Sequence, residues 1–210
     1  MRIRDISQRV ANDTAVWPGD QPCSTRWTMR REDGNPVNVA ALSMSAHTGT
    51  HVDGPFHFAD DGERPAKLRL DAFIGPATVV DARGRDRLDV DALAAVDIER
   101  TQRLLFRTRD AVDERVFPTA FAAFTPALAR RMGEAGIRLV GTDAPSVDPF
   151  ESKTLEAHRI LAQRGIAIVE NLVLENIEAG TYTLIALPLK LADADSSPVR
   201  AVLIDDRIVP

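Results

Sequence analysis

The chain is most distinctive at residues 47–57, which read HTGTHVDGPFH and hold three of its four histidines. The glycines and the proline of this stretch disfavour a helix, so the first two histidines, although four apart, do not form a helical zinc-protease motif. In an extended segment, His47, His51, Asp53 and His57 share parity and point to the same side. The stretch therefore predicts an extended or looping chain whose imidazoles and carboxylate converge on one point.

Two imidazoles and one carboxylate form a ligand set that suits a borderline metal such as zinc. The alternative is a polar loop with surface histidines. A site for one metal ion needs three protein ligands and an open position, and a site for two ions needs further carboxylates.

Two residues outside this stretch are candidates for the additional ligands. His158 lies between Leu155 and Leu161 on a predicted helix, so it faces the interior, where it is either a ligand or a hydrogen-bonded core histidine. Glu170 directly follows a buried-type strand, where an ionised carboxylate is costly to bury without a partner. The alternative for Glu170 is a solvated carboxylate at a strand end.

The remaining pattern predicts a mixed α/β fold in one domain spanning residues 1–210, because strand-like and helix-like segments alternate without a linker or repeat. We expect the segment 37–46 to be a partly buried strand. Predicted helices begin after Asp89 and near Thr125, and a third covers residues 152–163. Other predicted strands are residues 77–81, 103–107, 137–141, 166–169, 182–191 and 199–204.

Composition excludes several classes of protein. The formal net charge of −5 argues against nucleic-acid binding, and no apolar stretch is long enough to span a membrane. The single cysteine, Cys23, cannot form an intramolecular disulfide, so we expect a reducing cytoplasmic compartment. Nothing near Cys23 in the sequence resembles a constellation of a nucleophile and its base, which favours an inert thiol over a nucleophile.

The motif resembles a known signature when its variable positions are left open. Written H-x-G-T-H-x-D-x-P-x-H, it fixes seven of eleven positions and resembles the signature of the cyclase-like metal-dependent hydrolases, which include bacterial kynurenine formamidases. Three further stretches resemble segments of that family in the same order. They read TAVWPGD at residues 14–20, GTDAPSVDP at residues 141–149 and IVENL at residues 168–172.

The resemblance implies a centre with two zinc ions per subunit, with manganese as the other metal that the ligand set tolerates. It implies that His47, His51 and Asp53 hold one ion. Asp53, His158 and Glu170 would hold the second, and both carboxylates could bridge the two ions. The implied fold is a mixed-sheet swivelling β/β/α domain, and the implied assembly is a homodimer or a larger oligomer.

The resemblance also implies an activity, the hydrolysis of N-formyl-L-kynurenine to L-kynurenine and formate in tryptophan degradation by zinc-activated water. His57 would be the catalytic acid/base, and Trp17 would line the pocket against the aromatic ring of the substrate. Alternatives stay open: Trp17 could pack in the core, and Asp143 could orient a ligand histidine or cap a turn. For the whole chain, the alternatives are an isatin hydrolase or another cyclic-amide hydrolase, and a non-catalytic metal-binding module, which would not need His57.

Overall fold

A computed structural model describes residues 1–205 and shows a mixed α/β fold, which confirms the expected class. The helices are α1 (Pro126–Glu134) and α2 (Glu156–Gln163). The strands are β1 (Arg2–Asp5), β2 (Ser24–Met29), β3 (Val39–Ser43), β4 (His51–Asp53), β5 (Ile74–Asp81), β6 (Arg87–Leu88), β7 (Arg103–Arg107), β8 (Ala123–Phe124), β9 (Leu139–Thr142), β10 (Ala167–Glu170), β11 (Gly180–Ile185), β12 (Ser196–Pro198) and β13 (Val202–Asp205).

Nine of these strands form one mixed sheet in the order β1-β13-β11-β5-β7-β9-β10-β4-β12. Its central strands β5, β7, β9 and β10 run parallel. Strand β7 reads RLLFR, and its side chains alternate between two cores: Leu104 and Phe106 pack into one, Leu105 into the other. A continuous apolar run is what a parallel strand covered on both faces requires.

The two helices differ in how well their starts were predicted. Helix α1 begins as expected, because the Thr125 hydroxyl accepts a hydrogen bond from the Leu128 amide and Pro126 occupies the first turn. Helix α2 begins four residues later than predicted, at Glu156 instead of residue 152. The segment after Asp89 forms only a short 3-10 helix, Val90–Leu93. Neither helix in residues 1–205 is long and apolar enough to cross a membrane.

The histidine-rich stretch enters the sheet as β4, between β10 and β12. Glu170 is in register with His51, and Ser196 is in register with Asp53. The expected extended conformation is present at His51–Asp53, and a 3-10 turn at Pro55–His57 follows it. Strand β12, which sequence periodicity did not indicate, supplies the far edge of this arrangement.

The expectation that residues 37–46 form a partly buried strand is wrong in its burial. Strand β3 pairs only with β2 in a two-stranded ribbon, and every residue of both strands is exposed. The ribbon carries Trp27, Met29 and Leu42, which are about half exposed. The apolar side chains that suggested burial therefore lie on the surface of the chain.

Candidate metal centre

A cavity of about 610 Å³ opens above the ends of β4 and β10. All four histidines of the chain line this cavity, together with Glu170, Asp195 and Trp17. The strand register brings β4 and β10 side by side, and helix α2 adds His158. Residues that are far apart in the sequence thus meet at the floor of one pocket.

The first ligand group, a set of candidate metal ligands, consists of His47, His51 and Asp53. The Oδ1 atom of Asp53 lies 3.1 Å from Nδ1 of His47 and 3.5 Å from Nε2 of His51. One ligand atom from each residue lies within 4.8 Å of the other two. His51 and Asp53 are buried and His47 is partly exposed to the cavity.

The second group consists of Asp53, His158 and Glu170, all buried. The Nε2 atom of His158 lies 3.3 Å from Oδ2 of Asp53 and 3.3 Å from Oε1 of Glu170. The other oxygen of Glu170 lies 3.5 Å from Nε2 of His51. One oxygen of Asp53 therefore faces His47 and His51 and the other faces His158, and the oxygens of Glu170 likewise face His51 and His158.

Hydrogen bonds occupy the second ring nitrogen of each of these three histidines. His51 Nδ1 contacts the Gly49 carbonyl at 2.8 Å, and His158 Nδ1 contacts Asp148 at 2.7 Å. His47 Nε2 contacts Asp195 at 2.9 Å. Because carbonyl and carboxylate oxygens accept hydrogen bonds, each of these nitrogens carries the proton. The opposite nitrogen of each ring faces Asp53 and is the one positioned to coordinate a metal ion, the arrangement that metal-binding histidines adopt.

A further observation shows that this set of donor atoms fits metal ions. His51 Nε2 and both oxygens of Asp53 are buried, and within residues 1–205 they have no hydrogen-bond partner. Buried polar atoms are normally paired. Their spacings of 3.1–3.5 Å match the distance of about 3.3 Å between neighbouring ligands of a tetrahedral ion with bonds of 2.0–2.1 Å.

In the metal-free protein, charges within the site compensate one another. Burial opposes a charged His47, yet its contacts with Asp195 and Asp53 raise the pKa of this imidazole to about 10. Burial likewise opposes ionisation of Asp53, but the imidazoles of His158 and His47 hold the pKa of the carboxyl well below its ordinary value. The metal-free site therefore holds protons where cations would bind.

His57, the predicted acid/base, lies on the 3-10 turn that follows β4, beside the first ligand group. Its ring centroid is 4.2 Å from that of His47, and its Nδ1 lies 3.0 Å from Oδ2 of Asp195. About a third of its side chain is exposed to the cavity. His57 thus lies next to the ligand groups and can reach a molecule bound in the cavity.

Trp17, the predicted substrate contact, lines the cavity and is 36% exposed. Its ring packs against Phe117 at 5.2 Å and Phe150 at 5.0 Å between ring centroids. These contacts hold the indole in place while leaving part of it open to the pocket. Trp17 is therefore not a buried core residue.

Sequence reasoning missed two residues that support the histidines, Asp148 and Asp195. Asp148 lies in a stretch that resembles the family but has no distinguishing local pattern, and nothing in the sequence around Asp195 indicates a site. The Asp143 carboxylate accepts hydrogen bonds from the amides of Thr108 and Arg109 and from the Thr108 hydroxyl, in the segment that follows β7. Cys23 is buried.

Comparison with known proteins adds a family and several relatives. The family described as "Putative cyclase" matches residues 4–149. A kynurenine formamidase of Bacillus cytotoxicus is 43% identical over 199 residues, which is 95% of each chain. A solved structure described as a potential metal-dependent hydrolase with cyclase activity has a TM-score of 0.83 at 27% identity and covers 96% of each chain. Isatin hydrolase A from Labrenzia aggregata shares the fold, with a TM-score of 0.81 at 24% identity over 96% of this chain and 93% of its own.

Proposed function

The chain belongs to the cyclase family, and we propose that it is a metal-dependent amidohydrolase that converts N-formyl-L-kynurenine to L-kynurenine and formate. The observation that carries the hydrolase proposal is a set of buried atoms on Asp53 and His51 that have no hydrogen-bond partner within residues 1–205, beside an open cavity that His51 lines. The likeness to a kynurenine formamidase along 95% of both chains supports the choice of substrate.

The metal ions of this proposal are two zinc ions per chain. His47, His51 and Asp53 would hold one ion, and Asp53, His158 and Glu170 the other. The three imidazole nitrogens and the two carboxylates support zinc, and the two oxygens of Asp53, each facing a different histidine, support a pair of ions. Measuring metal per chain in protein purified without added metal tests the number and separates zinc from manganese.

Bound zinc would activate water as a nucleophile near neutral pH and stabilise negative charge that develops on the formyl oxygen. The amide is difficult to cleave because an aniline nitrogen leaves poorly without a proton. His57 would take a proton from the attacking water and supply it to the nitrogen as the bond between the formyl carbon and nitrogen breaks, while water contributes one of the two formate oxygens. Imidazole suits this task because its ordinary pKa lies near 6.5.

The walls of the cavity support an aromatic substrate. Trp17 presents part of its indole ring to the space above the ligand groups, braced by Phe117 and Phe150. An aromatic ring stacked there gains apolar burial and a favourable ring–ring contact. We propose that Trp17 holds the aniline ring of the substrate so that the formyl group lies over the ligand groups.

The deciding experiment compares two substrates on one preparation of known metal content. We expect formate release from N-formyl-L-kynurenine that is lost with chelator and restored by zinc. Opening of the isatin ring without formate release would instead favour the cyclic-amide alternative. A protein that retains stoichiometric zinc and turns over neither substrate would favour a non-catalytic metal-binding module.

We further propose that the chain acts as a homodimer that uses the ribbon of β2 and β3. An isolated two-stranded ribbon is marginally stable in water, and this one exposes Trp27 and Leu42 on strands that pair with no other part of residues 1–205. A second copy would cover these side chains. Light scattering of Trp27→Glu and Leu42→Glu tests this: both variants should be monomeric, and dimers of unchanged stability would exclude the ribbon as the interface.

Two further proposals concern the chain as a whole. We propose a single domain over residues 1–210, which the pairing of β1 with β13 supports, because it joins both ends of the described range in one sheet. We also propose a cytoplasmic location, supported by the single, buried cysteine. Fractionation of the source cells tests the location, and limited proteolysis, which should give no stable fragment, tests the domain.

A further inference from the structure

Asp195 connects two imidazoles through one carboxylate oxygen. Its Oδ2 atom lies 2.9 Å from Nε2 of His47 and 3.0 Å from Nδ1 of His57. Both contacts satisfy hydrogen-bond geometry, whereas the oxygens of Asp53, at similar distances from imidazole nitrogens, have no hydrogen-bond partner within residues 1–205. Within residues 1–205, Asp195 is therefore hydrogen-bonded to its two histidines, whereas the Asp53 oxygens make no hydrogen bond to theirs.

An ionised carboxylate only accepts hydrogen bonds, so each nitrogen that faces Asp195 must carry a proton. For His57, this places a proton on Nδ1 and leaves Nε2 as the nitrogen that exchanges protons with a bound molecule. We propose that Asp195 is a positioning residue that fixes the ring orientation and the Nδ1–H tautomer of His57. This inference rests on the proposed function, in which His57 is the acid/base.

The position of Asp195 is set by the pairing of its strand with the strand that carries the histidine motif. Strand β12 pairs with β4 so that Ser196 is opposite Asp53, which places Asp195 opposite Gly54. The Gly54 amide donates a hydrogen bond to the Asp195 carbonyl at 2.8 Å. A Cβ on Gly54 would lie 2.9 Å from that carbonyl oxygen, so only glycine permits this close approach. The same motif that carries His57 therefore also anchors the backbone of its carboxylate partner.

Two other roles of the Asp195 carboxylate compete with the positioning of His57. Asp195, His47 and His57 each offer a ligand atom, and these atoms lie within 4.8 Å of one another, so the group could in principle hold a cation. Asp195 could also act only by orienting His47 as a ligand. The satisfied hydrogen-bond geometry at both rings favours positioning of His57 over cation binding.

The kinetic test uses Asp195→Asn at saturating zinc. The substitution preserves shape, but the amide NH₂ can donate to a ring nitrogen, which frees His57 to adopt the other tautomer. We expect kcat for formate release to fall at least about 100-fold while KM changes less than about threefold. The matched control is Asp193→Asn, an exposed carboxylate two residues away, which should leave both constants unchanged.

Combining variants shows whether Asp195 acts through His57. The double variant His57→Ala/Asp195→Asn should turn over within about twofold of His57→Ala alone, because the carboxylate has no imidazole left to position. Multiplicative losses would overturn the proposal. Full recovery of Asp195→Asn by added zinc would also overturn it, because the residue would then serve only metal retention.

A measurement on the unmodified holoenzyme keeps the proposal testable even if a variant fails to fold. Nitrogen-15 spectra of the four histidine side chains report which ring nitrogen carries the proton. We expect neutral His57 to be protonated on Nδ1; protonation on Nε2, or zinc-dependent loss of the Nδ1 proton, would contradict the proposal. This readout does not depend on the substrate, so an error in the proposed activity would appear separately, as absence of formate release by the wild type.

Discussion

The carboxylate of Asp148 holds His158 at two points. Its Oδ2 atom accepts a hydrogen bond from Nδ1 of His158 at 2.7 Å and from the backbone amide of the same residue at 3.0 Å. The other oxygen accepts the Ala157 amide at 3.0 Å. Asp148 thus satisfies the free amides at the start of α2 and orients the ring that faces Asp53 and Glu170.

Asp148→Asn should weaken binding of the second metal ion by about 10–100-fold, the usual cost of losing a partner behind a ligand histidine. The amide can donate to His158 Nδ1 and so favours a proton on Nε2, the nitrogen needed for the metal. Competition with a chelator of known affinity measures the change. Asp86→Asn, at an exposed carboxylate, is the control, and equal affinities in the two variants would contradict the role assigned to Asp148.

Removing the shared carboxylate should have a larger effect than removing one histidine. Asp53→Ala should lose both ions because each of its oxygens faces a different group, whereas His51→Ala should lose mainly the first. Metal analysis after gel filtration gives the number of ions per chain. If Asp53→Ala still held one ion at full occupancy, the carboxylate would not be shared.

His57→Ala should retain both ions and lose turnover by about 100- to 10,000-fold, the usual contribution of a general acid or base. His57 lies beside the ligand groups, and its Nδ1 is occupied by Asp195. Parallel measurements of zinc content and kcat separate the two roles. A loss of zinc equal to that of His51→Ala would show that His57 is a ligand.

Trp17→Ala should raise KM for an aromatic substrate by about 2- to 13-fold, which corresponds to the 0.5–1.5 kcal/mol of a typical aromatic pair. Trp17→Phe keeps a ring against Phe150 and should lose much less. Steady-state kinetics on both variants, with thermal unfolding as a control for folding, provides the check. An unchanged KM in a stable Trp17→Ala variant would leave the indole with a packing role only.

Metal affinity should rise with pH. The pKa of His47 in the metal-free protein is about 10, so at neutral pH this ring holds a proton that an incoming ion must displace. The pKa of Asp53 is lowered, so its carboxylate is already ionised and releases no proton. Apparent zinc affinity should therefore increase by up to about tenfold per pH unit for each proton displaced. Calorimetry at about pH 6–8 in buffers of different ionisation enthalpy measures the released protons, and a pH-independent affinity would count against displacement.

Local sequence was sufficient to predict the structural features that depend only on interactions between neighbouring residues. Strand β7 coincides with the predicted residues 103–107 because its apolar run has the composition of a strand buried on both faces. The Thr125–Pro126 pair marked the start of α1 because capping involves only neighbouring residues. The same holds for the motif, where the glycines and the spacing of the ligands predicted an extended or looping chain over residues 47–57, of which His51–Asp53 is extended.

Local sequence patterns could not predict the contacts between distant segments. Asp195 meets His47 across 148 positions and His57 across 138, a juxtaposition created by the pairing of β4 with β12. The apolar residues of β3 suggested burial, yet the strand lies in an exposed ribbon, because burial depends on what packs against a strand and not on its own composition. The sequence by itself thus indicated which residues are candidate metal ligands and predicted several of the extended segments. Only the tertiary structure decided which carboxylates hold the imidazoles, because strand pairing and helix placement bring those side chains together from opposite ends of the chain.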